Sequence, residues 1–148
     1  MDIPSDYTSR IAASSDGQYL LVTSRGRTRD VPLVGGGIRS NVTDTCSVGI
    51  LNEKDGKQIA KVDIKAQWIA RAAISSDAQA VAIIVHDHPG RIELRRVPDL
   101  SEIGKIEPPS SASAVEFSHS GKLLAASLAD STILVWKIDR LAKPKPKD

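Results

Sequence analysis

Few residue sets in this chain could do covalent chemistry, and each one is incomplete. His86-Asp87-His88 sets two imidazoles around a carboxylate, a fragment that zinc or copper would accept. Cys46 and His119 are the only other thiol or imidazole groups, and both are far away in sequence. Closed by Pro89-Gly90, the segment reads as a polar turn, so no metal or other cofactor is expected. Ser14, Ser75 and Ser118 recur at one place in three similar stretches. A nucleophilic serine needs a His and an orienting acid converging on one copy. Recurrence points instead to turn chemistry, with Ser and Asp side chains capping local backbone donors. No catalytic residue is expected. The single cysteine, Cys46, excludes an internal disulfide and reads as a small apolar residue.

The richest set is cationic. Arg25, Arg27, Arg29 and Arg39 crowd the segment 25–45, opposed only by Asp30 and Asp44. Guanidinium forks suit carboxylates and phosphates, and Gly35-Gly36-Gly37 would let a backbone approach closely. The segment is expected to touch an acidic protein or peptide partner, together with His86 and His88 on the equivalent loop of the next unit. No Lys-Ser/Thr follows the glycines and no helix begins there, so a nucleotide phosphate is not the expected ligand. The end of the sequence, 140–148, is a short basic Lys/Pro tail that reads as extended and solvated.

Those residues hang on a repeated unit. Ile11–Ser24, Ala72–Val85 and Val115–Leu128 each read as strand, Ser/Asp/Gly turn, strand. The turn position recurs as Gly17, Ala78 and Gly121, with Asp16 and Asp77 beside the first two. The second interval is 43 residues, the length of a four-stranded propeller blade. The first is 61, and the excess lies in the 25–45 loop. A third strand follows each turn, marked by Val48/Ile50, Ile92/Leu94 and Ile133/Val135. Asp55-Gly56 and Pro98-Asp99 then turn the chain into fourth strands at Gln58–Ile64 and Glu102–Glu107. Apolar residues alternate at period two and no 3.6-residue period is sustained. The expected fold is all-β, built of antiparallel blades.

The third unit, Ala114-Val-Glu-Phe-Ser-His-Ser-Gly-Lys-Leu-Leu-Ala-Ala-Ser-Leu-Ala-Asp130-Ser-Thr-Ile-Leu-Val-Trp136-Lys, resembles a WD-repeat β-propeller blade over about thirty residues. The first two units match it by column. Leu51 and Arg95 stand where the family has Trp, Lys137 follows Trp136 in place of Asp, and no unit opens on Gly-His. The resemblance implies a buried polar set in which Ser127, Asp130 and Trp136 could take part, without its His. It also implies protein–protein recognition without chemistry, with the 25–45 loop on a partner-binding face and His119 on the opposite one.

At 148 residues and 41% hydrophobic content the chain can bury a core as one globular domain. Residues 1–139 are expected to form three blades, about 7–64, 65–107 and 108–139. The third lacks its outer strand, because Pro144, Pro146 and three lysines cannot build a core strand. A net charge of +2 requires neither nucleic acid nor lipid, and no apolar run approaches a membrane span. Without a recognisable signal peptide, the expected location is cytoplasmic. Three blades leave two apolar faces open, whereas propellers close with four to eight. The chain is therefore expected to partner itself, as a homodimer of six blades or a homotrimer of nine. The alternatives are a piece of a longer regulatory or sensor protein, or a metal-dependent enzyme.

Overall fold

The recurring turn is the local event from which the fold is built. The computed structural model describes residues 7–25, 29–32, 35–36, 38–42, 45–87 and 90–138, of which 7–9, 29–32 and 38–42 are described by backbone path alone. The Ser14 hydroxyl donates to Asp16 Oδ1 at 2.5 Å and accepts the Tyr19 N–H at 3.0 Å. The Ser75 hydroxyl repeats this, donating to Asp77 Oδ1 at 2.6 Å and accepting from Ala80 N–H at 3.0 Å. The third turn keeps the acceptor half, Leu123 N–H to Ser118 Oγ at 3.1 Å, with Ser120 in the aspartate's place. Each turn closes through a left-handed residue: Gly17 at φ 65°, Ala78 at 52° and Gly121 at 69°. A side-chain oxygen thus satisfies a backbone donor that the tight reversal would orphan.

Among the described residues, two four-stranded sheets and one of three strands grow from these turns. In the first sheet β1 (Tyr7–Ala13), β2 (Tyr19–Arg25), β5 (Thr45–Asn52) and β6 (Gln58–Lys65) lie in that order. The second holds β7 (Trp68–Ile74), β8 (Ala80–His86), β9 (Arg91–Arg96) and β10 (Glu102–Ile106). The third holds β11 (Ala112–Phe117), β12 (Leu123–Leu128) and β13 (Ile133–Lys137). Every pairing is antiparallel. The segment 25–45 is more than the loop expected of it. It carries a hairpin of β3 (Arg29–Pro32) and β4 (Ile38–Val42), with Gly35 and Gly36 at positive φ between them. Consecutive glycines supply the turn dihedrals that β-branched neighbours could not. The tail 140–148 lies outside the described residues.

The sheets stack with β8 in the middle. All of Ala80–Val85 is buried. Val81, Ile83 and Val85 pack toward the first sheet, against Leu21, Val48 and Ile50. Ala80, Ala82 and Ile84 pack toward the third, against Phe117 and Leu124. Successive strand residues point to opposite faces, so one strand feeds two cores. The outer faces of the end sheets have no such cover among the described residues. Ile133 is 70% exposed, Val135 59% and Ile11 58%.

The second and third turns also touch. The Ser76 hydroxyl donates to the His119 carbonyl, and a Cβ at Gly121 would lie 2.9 Å from Asp77 Oδ2. Gly121→Ala is therefore expected to destabilise the fold by about 2 kcal/mol, combining left-handed strain with that clash. Urea unfolding measures it, and an unchanged midpoint would refute the contact. Ser75→Ala, which leaves a buried amide without its acceptor, should cost about 1–3 kcal/mol. Ser118→Ala, at a wetter turn, should cost clearly less by the same measurement.

Candidate functional site

The sheets meet along their first strands, β1, β7 and β11. Each of these strands is interrupted at the same step of the repeat, with a register shift at Thr8/Arg10, Ile69/Arg71 and Ala112/Ala114. A β-bulge re-aims the side chain that follows it. The residues at that step are Arg10, Arg71 and Ala114, each seven positions before the left-handed turn residue. Near the strand ends opposite the Ser/Asp turns, Arg10, Arg25 and Arg71 line one open cleft of about 560 Å³ with Trp68 and His86. Trp68 is 47% exposed although it is the largest side chain there. Its ring lies 5.2 Å from that of His86, tilted by 53°. Such a pair offers a partner a rigid apolar wall with a polar edge.

A chain of charges runs from Asp87, the residue after His86, into the second sheet. Asp87 meets Arg91 at 3.6 Å, and Arg91 meets Glu93 at 2.9 Å. Arg95 meets Glu93 from the other side at 2.7 Å and donates to the Leu100 carbonyl at 3.0 Å. Glu93 lies on β9 opposite Ile83, and only 2% of it is exposed. Burial alone would raise its carboxyl; the hydrogen bonds and charges of Arg95 and Arg91 outweigh that and hold it below the usual carboxylate range.

The residues singled out from sequence scatter over this frame. Arg25 and His86 meet in the cleft. Arg29 and Arg39 sit on β3 and β4, while Arg27 and His88 lie outside the described residues. Asp16, Gly17, Asp77 and Gly121 stand at the turns of the opposite end. The Ser14 hydroxyl, then the Gln18 amide, lower the Asp16 carboxyl. Asp130 accepts from the Thr132 hydroxyl at 2.6 Å and from its amide at 3.0 Å, which lowers its carboxyl too. The Ser127 hydroxyl pairs with Ser113 at 3.0 Å, and Trp136 packs on the core shared with the second sheet. Registers put Trp136 opposite Leu124 and Ser127 opposite Ile133, so the two occupy different faces of the third sheet. Among the described residues, no three His, Cys, Asp or Glu side chains converge as metal ligands. Nor is any helix there long and apolar enough to cross a membrane. Sequence reasoning passed over Arg10, Arg71 and Glu93. The available signal was the fixed offset of the first two from the turn.

No protein-family model matches the sequence, and no curated protein matches it. Solved structures do. The crystal structure of the Myceliophteria thermophila Cps50 (Swd1) beta-propeller domain is similar, with a TM-score of 0.64 at 14% identity over 92% of this chain. The fold is a β-propeller arc. The arc covers 36% of that solved chain, about a third of its length. Three blades built on this plan share their geometry with that domain while sharing little sequence.

Within the arc, the Arg91–Glu93–Arg95 set is a stability element with a definite pH signature. A depressed carboxylate contributes stability above the unfolded glutamate value of about 4.3, and that contribution is lost as pH falls through the lower folded value. Glu93→Gln should cost about 3 kcal/mol at neutral pH, because two half-buried guanidiniums lose their counter-charge. It should also flatten the stability profile below about pH 4.3. Urea unfolding across that range would contradict this if variant and parent kept parallel slopes.

Proposed function

We propose that this chain is a non-catalytic interaction and scaffolding module of WD-repeat type, which completes its ring by pairing its open flanks with those of a second copy. One observation supports the reading above others: the middle sheet is covered on both faces while the end sheets keep large apolar residues in water. The third sheet offers Leu123, Ile133 and Val135, with Ala125 between them and Glu116 and Lys137 at the margin. The first sheet offers Ile11 and Ile59, with Lys61 and Asp63 alongside. Each flank carries an apolar centre and both signs of charge. Flank against flank, two arcs meet in two identical interfaces and close six blades around a two-fold axis; three arcs would close nine. Burying an Ile or Val side chain contributes about 1.5–3 kcal/mol, so a handful at each junction suffices.

The remaining partner would be a protein or peptide received on the cleft-bearing end, where Trp68, His86 and the arginines lie. The repeat columns hold turn and packing residues, which suits binding and not catalysis.

Sedimentation equilibrium of the chain alone is expected to give twice its 15.8 kDa mass, or three times for the nine-blade ring. Ile133→Lys with Val135→Lys should reduce it to a single chain with an unchanged circular dichroism spectrum, since both side chains are exposed in the arc. A parent protein that is monomeric at all concentrations would overturn self-assembly and favour an arc belonging to a longer propeller.

A further inference from the structure

The bulged inner strands bring together cations that no carboxylate neutralises among the described residues. Arg10 and Arg71 stand at equivalent steps of β1 and β7 and make no ion pair or hydrogen bond among the described residues. Between them lies a second cleft of about 350 Å³, lined also by Thr23. Thr23 is opposite Arg10 in the β1–β2 register and only 1% exposed, yet its hydroxyl has no hydrogen-bond partner among the described residues. Arg25, two residues on, has a buried Nε in the same condition. Among the described residues, no Asp or Glu lines this cleft or the larger one that continues it toward Trp68 and His86.

Desolvated donors without acceptors, and three like charges on one wall, are each unfavourable. A ligand bearing carboxylates relieves both at once. We propose that these joined clefts form a recognition site for an acidic polypeptide segment. Arg10 and Arg71 would hold its carboxylates, Thr23 and Arg25 would supply the buried donors, and Trp68 with His86 would pack beside its backbone. Guanidinium forks match carboxylates in geometry as well as charge. Two clefts sharing Arg10 and Arg71 make a run of positions, which suits an extended chain better than one small anion. A net charge of +2 is too small to favour a nucleic acid, whose affinity rests on many phosphate contacts. Every residue involved comes from one chain, so the site stands whether or not the ring closes on a second copy.

The test is fluorescence anisotropy of a labelled hexaglutamate peptide with the whole chain, with inorganic phosphate and oligothymidylate as competitors. The peptide is expected to bind, less tightly as salt rises. Arg10→Ser with Arg71→Ser should weaken it by about tenfold for each guanidinium removed. Both arginines are exposed, so the unfolding midpoint and the assembly mass should stay as they were. Thr23→Val should raise the unfolding temperature, by removing an unpaired buried hydroxyl, and weaken the peptide. Equal peptide affinity in the double variant would overturn the proposal. So would binding of oligothymidylate in place of the peptide, or phosphate competing at the peptide's own concentration.

Discussion

A strand that is apolar on both faces must be covered on both faces, and everything else in this molecule follows from that constraint on β8. Its six buried residues divide between two cores by simple alternation. The first and third sheets are the covers. Each carries the same pattern in weaker form, so each in turn presents a face that asks for cover. An arc of three blades is self-consistent at its centre and unfinished at its edges. The arc matches 36% of the solved propeller it resembles.

The turns and bulges convert that stacking into a curved, end-differentiated object. Ser14, Ser75 and Ser118 hold one end with hydroxyl-capped reversals, and the turns of the second and third sheets lock by direct contact. The other end is left to longer connections and to the first residues of the inner strands. There the bulges turn Arg10 and Arg71 toward the space where the sheets meet. In the second sheet, an Arg–Glu–Arg set around buried Glu93 includes the position at which the family pattern has Trp. Taking Glu93 out of water is costly alone, and two guanidiniums at hydrogen-bonding distance offset it. The second sheet thus has a polar fastener, and the third, through Trp136, an apolar one.

Much of this architecture was legible because it repeats. Period-two alternation located the strands, and Asp55-Gly56 and Pro98-Asp99 marked where β6 and β10 begin. Among the described residues the third sheet has three strands, and the proline and lysine positions expected to deny it a fourth, 140–148, lie outside them. The β3–β4 hairpin was missed because its strands are four and five residues long and break their alternation with Pro32 and Asn41. The Glu93 set was missed because a charged residue in a strand reads as exposed until the sheet above it is known. Arg10 and Arg71 lie sixty-one residues apart; only the stacking of blades makes them neighbours. The crowd of arginines at 25–39 drew attention in sequence, yet only Arg25 of that group has a described side chain in the cleft.

Cover for the flanks is the claim on which assembly, curvature and the loop-bearing end all depend. Amide hydrogen exchange along β13, followed over a range of protein concentrations, reads it most directly. If a second copy covers Ile133 and Val135, exchange at Leu134, Val135 and Trp136 should slow as concentration rises, while β8 stays protected throughout. Fast exchange in β13 that ignores concentration would contradict the account.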